Sequence, residues 1–281
     1  MKIYRAAPLL ATAAAAIALA GPALAQDARD THFDGPYVSA TIGMAAQGND
    51  GGDTLVFDTD RNGSYGDTVT TAAGANAFSP GFCHGTAGGA TPGACGPDNN
   101  RLEYAGRIGY DKRMGGNFVV GGLLEVSKTN ARDYTSGYST TPASYQLGRK
   151  LDYAISARAR AGYTPGGGAL FYATGGVSNA KLDHSFATTN TANSFTEVND
   201  GKRVWGWQAG GGAEVMVTKN VSLGLEYLYN RYSDSKYSVA VGPGTAPASN
   251  PFLLASGGTN IRTSDKNFDY HSLRASLSYQ F

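Results

Sequence analysis

Arg107, Arg158, Arg160 and Arg274, with Glu125, Asp152, Glu214 and Glu226, occupy alternate positions in segments whose intervening residues are mostly apolar. Successive side chains of a strand point to opposite faces. Both signs of charge would therefore line one face and the apolar residues the other. Charges on an enclosed face must pair or meet trapped water, because an isolated buried charge costs several kcal/mol. The predicted chemistry is mutual neutralisation, a salt-bridge filling that Arg101 and Glu103 extend. A narrow or gated ion path, with an Arg–Glu pair as its latch, would use the same residues. Small neighbours (Gly121, Gly162, Gly210, Gly212, Gly224) either let strands curve or make room for long arginines.

Other constellations are weaker. Asp58, Asp60 and Asn62 followed by Gly63 match the opening of a calcium loop, where oxygen ligands alternate and glycine permits the sharp turn. The closing position holds Val69 rather than Glu, so Asp67 would have to substitute with different geometry, and a plain Asx-turn cluster explains the residues better. No cofactor is expected, with loop calcium the alternative to that cluster. Cys83 and Cys95 are the only cysteines and read as a loop disulfide in an exported chain. A metal pair with His84 does not have zinc spacing. The histidines, His32, His84, His184 and His271, are scattered. His271 and Ser272 are the sole candidates for hydrolytic chemistry, and as strand neighbours they point apart, so no enzyme is expected. Gly210-Gly-Gly212 lacks the helix that a phosphate cradle needs. A formal net charge of +1 gives no argument for nucleic acid.

The elements that would position these residues are eight segments of period two: 37–44, 101–110, 118–127, 151–163, 170–178, 204–215, 221–229 and 273–281. In the fourth, Leu151, Tyr153, Ile155, Ala157 and Ala159 oppose Asp152, Ser156, Arg158 and Arg160. Only the phase near Gly175-Gly176 is unsettled. Each segment has the length of a strand crossing a bilayer at a tilt. The connections alternate short (111–116, 164–168, 218–220) and long. Short turns face the periplasm and long loops face outside in transmembrane barrels, and an even strand count returns both ends to the periplasm. Lys2 and Arg5, an apolar run over 9–19 and Ala23-Leu24-Ala25 predict a signal peptide over 1–25 and a mature chain over 26–281. A mean hydropathy of −0.27 fits a barrel, since only alternate residues meet lipid. A soluble β-sandwich would also alternate. Tyr and Trp at the apolar segment ends, charges at mid-strand and the aromatic Phe281 inside the strand pattern favour the barrel.

The run Ser156-Ala-Arg158-Ala-Arg160-Ala-Gly162-Tyr163 resembles the fourth strand of the opacity-type surface antigens, porin-family barrels of Gram-negative bacteria. The segments around Trp207–Glu214 and Leu225–Tyr229, and the Tyr-Gln-Phe ending, are similar to that family's later strands. The resemblance covers most of the mature chain except its loops, and the first loop, about 45–100, is long for the family. It implies an all-β, eight-stranded, antiparallel, OmpA-like transmembrane barrel in the outer membrane, with short periplasmic turns and long extracellular loops. The expected role is structural, with the loops meeting surface ligands; a low-conductance porin or ligand conduit is the alternative. The partners would be outer-membrane lipid and lipopolysaccharide. Eight strands argue for a monomer.

Overall fold

The computed structural model describes residues 32–47, 52–93, 95–98, 100–166 and 168–281; the expected signal peptide lies outside them. The chain opens with β1 (Gly35–Gln47), and four short strands follow: β2 (Leu55–Asp58), β3 (Gly81–His84), β4 (Thr86–Ala87) and β5 (Cys95–Gly96). Next come β6 (Arg101–Met114), β7 (Phe118–Thr129), β8 (Arg132–Ser139), β9 (Ala143–Tyr163), β10 (Ala169–Thr188) and β11 (Ser194–Val198). The last are β12 (Arg203–Met216), β13 (Val221–Ser233), β14 (Ser238–Gly242), β15 (Thr259–Thr263) and β16 (Asn267–Gln280).

Strands β1, β6, β7, β9, β10, β12, β13 and β16 pair antiparallel in that order, and β16 pairs back to β1, closing an eight-stranded barrel. Closure leaves no unpaired edge in the apolar layer, the condition for crossing a bilayer with strands. The alternation resolves as expected. Ile42, Ile108, Leu124, Val177, Leu223 and Leu277 are exposed on the outer wall, while Thr41, Arg107, Glu125, Ser178, Ser222 and Ser276 are buried inside. The phase runs unbroken through Gly175-Gly176: Tyr172 and Thr174 point inward, Phe171 and Val177 outward.

The periplasmic turns are short. Gly115 and Gly116, at φ 61° and 93°, turn the chain between β6 and β7. Strand β6 runs on through 111–114, which the sequence pattern assigns to the turn.

The strands continue well beyond the membrane. At about 3.3 Å per residue, the outward apolar part of β9 (155–163) covers roughly 30 Å of strand, or about 20 Å of depth once tilted. The whole of β9 is 21 residues long. Its outer half pairs with β8 and with the long end of β10, and β3 adds to β8. A second sheet, β11-β14-β15-β2, draws on the first, third and fourth extracellular connections.

The two sheets enclose a core of Leu55, Phe57, Phe78, Tyr145, Leu147, Val239, Val241, Phe252 and Ile261. Phe78 lies 5.3 Å from Tyr145 and 5.8 Å from Phe252 between ring centroids. The long connections are therefore a folded sandwich seated on the barrel. Phe252→Ala should cost this sandwich about 3–5 kcal/mol. Limited proteolysis of the lipid-embedded protein should then cut the 186–263 region far faster while the barrel strands stay protected; unchanged protection would contradict the shared core.

Candidate functional site

The lumen is filled in layers. Near the periplasmic end Phe33, Val119, Leu170 and Met216 form an apolar floor. Above it Arg160 donates to Glu214 at 2.7 Å and also pairs with Asp111. Its guanidinium lies over the rings of Tyr37 and Tyr172, 4.6 and 5.1 Å from their centroids.

The central layer turns on two carboxylates. Glu226 accepts from Arg274 (2.6 Å), Arg107 (2.9 Å), Arg158 (3.3 Å) and the Tyr172 hydroxyl (2.9 Å). Glu125 accepts from Arg158 (2.7 Å), Arg107 (3.0 Å) and Arg274 (3.0 Å). Glu103 takes a further bond from Arg274 at 3.3 Å. The arginine and glutamate side chains of this layer are at most 1% exposed. Glycine supplies the room: a Cβ on Gly212 would stand 2.7 Å from the Tyr172 hydroxyl.

A neutral layer follows, in which Gln208 donates to Asn230 (2.8 Å) and Asn230 donates to Ser272 (3.1 Å). An apolar lid of Leu151, Ala154, Leu182, Phe268 and Tyr270 closes the top.

Of the residues expected in the lumen, Arg107, Glu125, Arg158, Arg160, Glu214, Glu226 and Arg274 face it, as does Glu103. Asp152 does not, which corrects the sequence reading. The β9–β10 register shifts between Lys181 and Leu182, so β9 carries one extra residue there. A β-bulge of this kind breaks the period-two count. Leu151 turns in, while Asp152 sits outside against Lys181 (3.1 Å) and Lys128 (3.5 Å). Arg101 is also exposed, at the start of β6. Asp111, Tyr37 and Tyr172 were missed. Counting by two from Arg107 reaches Asp111, but its neighbours Lys112 and Arg113 read as turn.

Just above the lid, Arg149 holds Asp133 (2.6 Å), Asp265 (2.9 Å) and Asp234 (3.6 Å) together. The His184 ring bridges Asp234 (3.0 Å) and Asp200 (3.2 Å) and stacks on Tyr237 at 4.0 Å. Burial pushes the Asp234 carboxyl up, but the hydrogen bond and charge of His184 and the charge of Arg149 outweigh it and hold the group below its ordinary range. Burial keeps Asp133 above that range despite Arg149.

At the outer tip all four extracellular connections meet around a cavity of about 230 Å³. Phe78 comes from the first, Thr141 and Tyr145 from the second, Asn190 from the third, and Asn250 and Phe252 from the fourth. Among the described residues that line it none is charged. Asn190 donates to the Tyr145 hydroxyl at 2.9 Å, and Asn250 donates to Asn193 at 3.1 Å.

Oxygens of Asp58, Asp60 and Asp67 lie within 4.8 Å of one another. Asp58 accepts the Asn62 and Gly63 amides (3.0 and 3.1 Å), Asp60 accepts that of Asn62 (3.1 Å), and Asp67 accepts that of Thr59 (2.8 Å). Cys83 and Cys95 are bonded, with Cα atoms 5.9 Å apart. His271 contacts the Tyr227 hydroxyl on the outer wall at 2.7 Å, whereas Ser272 is buried inside.

Two outcomes follow for these charges. Glu226→Gln leaves three guanidiniums short of an anion in a fully buried layer. It should cost about 3–5 kcal/mol, the usual cost of breaking a buried pair, read as a lower urea midpoint in lipid vesicles; an unchanged midpoint would mean the network is solvated. Asp234 has a depressed folded pKa. Its stabilisation is therefore present above the unfolded value of about 3.9 and lost as pH falls through the lower folded value. Asp133, with a raised pKa, acts in the opposite sense. Asp234→Asn should reduce the loss of loop protection below about pH 4, measured by acid-stable proteolysis.

The sequence profile of the outer membrane protein beta-barrel domain matches residues 11–281. The 31 kDa outer-membrane immunogenic proteins of Brucella melitensis biotype 1 and Brucella suis biovar 1 are each 25% identical over 178 residues, 62% of this chain and 64% of theirs. The chain thus matches under two thirds of those relatives' length. Among solved structures, the outer membrane protein OprG from Pseudomonas aeruginosa superposes with a TM-score of 0.50 at 12% identity, over 90% of this chain and 98% of that one. At that identity the likeness concerns the fold. With the profile spanning nearly the whole sequence, the chain belongs to the outer membrane protein beta-barrel domain family and is an outer-membrane β-barrel protein.

Proposed function

We propose that this barrel is a surface-display protein rather than a conduit. Its lumen anchors and stabilises, and its extracellular sandwich presents one preorganised recognition site. The observation that carries this reading is the outer core, which locks the extracellular connections into a single body with a cavity where all four meet. Preorganised loops lose little entropy on binding. A tip lined by hydroxyls, amides and aromatic rings, with no formal charge, suits an uncharged ligand rich in hydroxyl or amide groups, such as a neutral glycan. The lumen weighs against transport, since its central arginines and glutamates pair directly and are at most 1% exposed.

Calcium at Asp58, Asp60 and Asp67 stays a separate proposal. Their oxygens already serve as acceptors for backbone amides, and a calcium titration of loop melting tests it.

Filling the cavity with Thr141→Trp should abolish capture of uncharged oligosaccharides on an array by the refolded full chain, without altering barrel melting. Equal capture by the variant, or preferential capture of charged glycans, would contradict the reading.

A further inference from the structure

The outer wall carries a cluster of charge that neither the lumen nor the tip explains. Immediately outside the apolar belt, on β7, β8, β9, β10 and β12, stand Lys128, Arg132, Lys150, Lys181 and Arg203, with Asp152 and Asp183 among them. Lys181 lies 3.1 Å from Asp152 and 3.3 Å from Asp183; Lys128 lies 3.5 Å from Asp152 and Lys150 lies 3.6 Å from Asp183. Arg203 donates to the Tyr153 hydroxyl at 2.5 Å. Arg132 donates to the Tyr134 hydroxyl at 3.0 Å, so three lysines share the two carboxylates while both arginines meet only neutral hydroxyls there, and the lysine side chains remain 35–44% exposed. The bulge at Asp152 builds this cluster. It brings Asp152 out beside Tyr153, the residue opposite Lys181, and so joins Lys128 to Lys181 through one carboxylate.

The wall below the cluster is equally specific. Gly122, Ala159, Gly175 and Ala209 are successive cross-strand partners on β7, β9, β10 and β12, and Ala161, Ala173 and Gly211 form the next row. Leu124, Gly122, Ala157 and Ala159 also line a shallow outer groove that reaches Phe281. Trp205 and Trp207, 68% and 46% exposed, stand between the charges and the small residues. From Lys181 to Gly175 is about 20 Å along the strand, or about 15 Å of depth at the tilt of a barrel, roughly half of the ~30 Å hydrocarbon core. The cluster sits at headgroup level, and the small-residue rows lie where acyl chains of the outer leaflet end.

We propose that this wall is a binding site for a phosphate-bearing glycolipid of the outer leaflet, of the lipopolysaccharide class. Lys128, Lys181 and Arg203 would meet a headgroup phosphate, Arg132 and Lys150 a second anionic group, and the acyl chains would lie across Gly122, Ala159, Gly175 and Ala209. Guanidinium and ammonium groups bind phosphate by charge-assisted hydrogen bonds. The excess of cations over Asp152 and Asp183 leaves that capacity unspent, and the smooth apolar face gives this lipid a reason to stay that free phosphate lacks. The site rests on the outer-membrane placement and not on the cavity at the tip, so either can fail without the other.

The chain has two tryptophans, Trp205 and Trp207, and both flank the site, so intrinsic fluorescence reports it directly. The refolded full chain in detergent is titrated with bisphosphorylated lipid A, with fully dephosphorylated lipid A and with inorganic phosphate. Saturable change is expected with the first alone, weakening as salt rises. Lys128→Gln/Lys150→Gln/Lys181→Gln should raise the half-saturating concentration at least about tenfold, since each tenfold step needs only ~1.4 kcal/mol and the lost charges interact at close range. Lys112→Gln, beside the periplasmic turn after β6, should leave it unchanged. Ala159→Phe, which fills the small-residue row and keeps every charge, should weaken binding too. Equal binding of the phosphorylated and dephosphorylated lipids, equal affinity of wild type and the triple variant, or burial of this wall by a second copy of the chain would each overturn the proposal.

Discussion

The constraint on which this structure depends is the width of its tube. Eight strands enclose a space that side chains can only just fill. Arg107, Arg158 and Arg274 occupy that space, so each needs an anion within reach, and Glu125 and Glu226 each serve all three. Breaking one member leaves a buried charge uncompensated, which costs more than the pair gains by forming. The glycines that face inward follow from the same crowding. A side chain at Gly224 would meet Ser276 and Glu214, and one at Gly121 would meet Asp111. The network therefore fixes residue types on strands that make no contact with one another in the sheet.

Lipid imposes the complementary demand on the outer wall, and the two demands together set the alternation of every barrel strand. Past the membrane both demands lapse and a different logic takes over. Strands β9 and β10 run on, their inward side gains an apolar lid, and the connections bury aromatic residues against the extended hairpin. The protein is thus built in three stacked parts, an ion-paired tube, an apolar closure and an extracellular sandwich. The salt bridges of Arg149 and His184 fasten the last two.

Much of the tube was legible in the sequence. Arg158 and Arg160 announce their face because Ala157, Ala159 and Ala161 separate them, and Glu226 does so between Leu225 and Tyr227. The reading failed where local pattern stopped carrying the information. Asp152 obeys the count by two yet lies outside, because a bulge is a matter of register between two strands and leaves no mark on one of them. Asp111 was hidden by charged turn-like neighbours. The sandwich was not foreseen at all: β2, β11, β14 and β15 are four or five residues long, and Asp58 finds its partner at Asn260. Pairings that distant follow from the closed barrel bringing its loops together, which no short window of sequence displays.

The central claim, that charge pairing fills the tube and leaves no path through it, is tested most directly by single-channel recording of the refolded protein in planar bilayers. A flat baseline under applied voltage is expected, with at most rare, irregular events. Regular unitary steps whose size or selectivity changes when Arg158 is replaced by Gln would show that ions move past the network, and would contradict it.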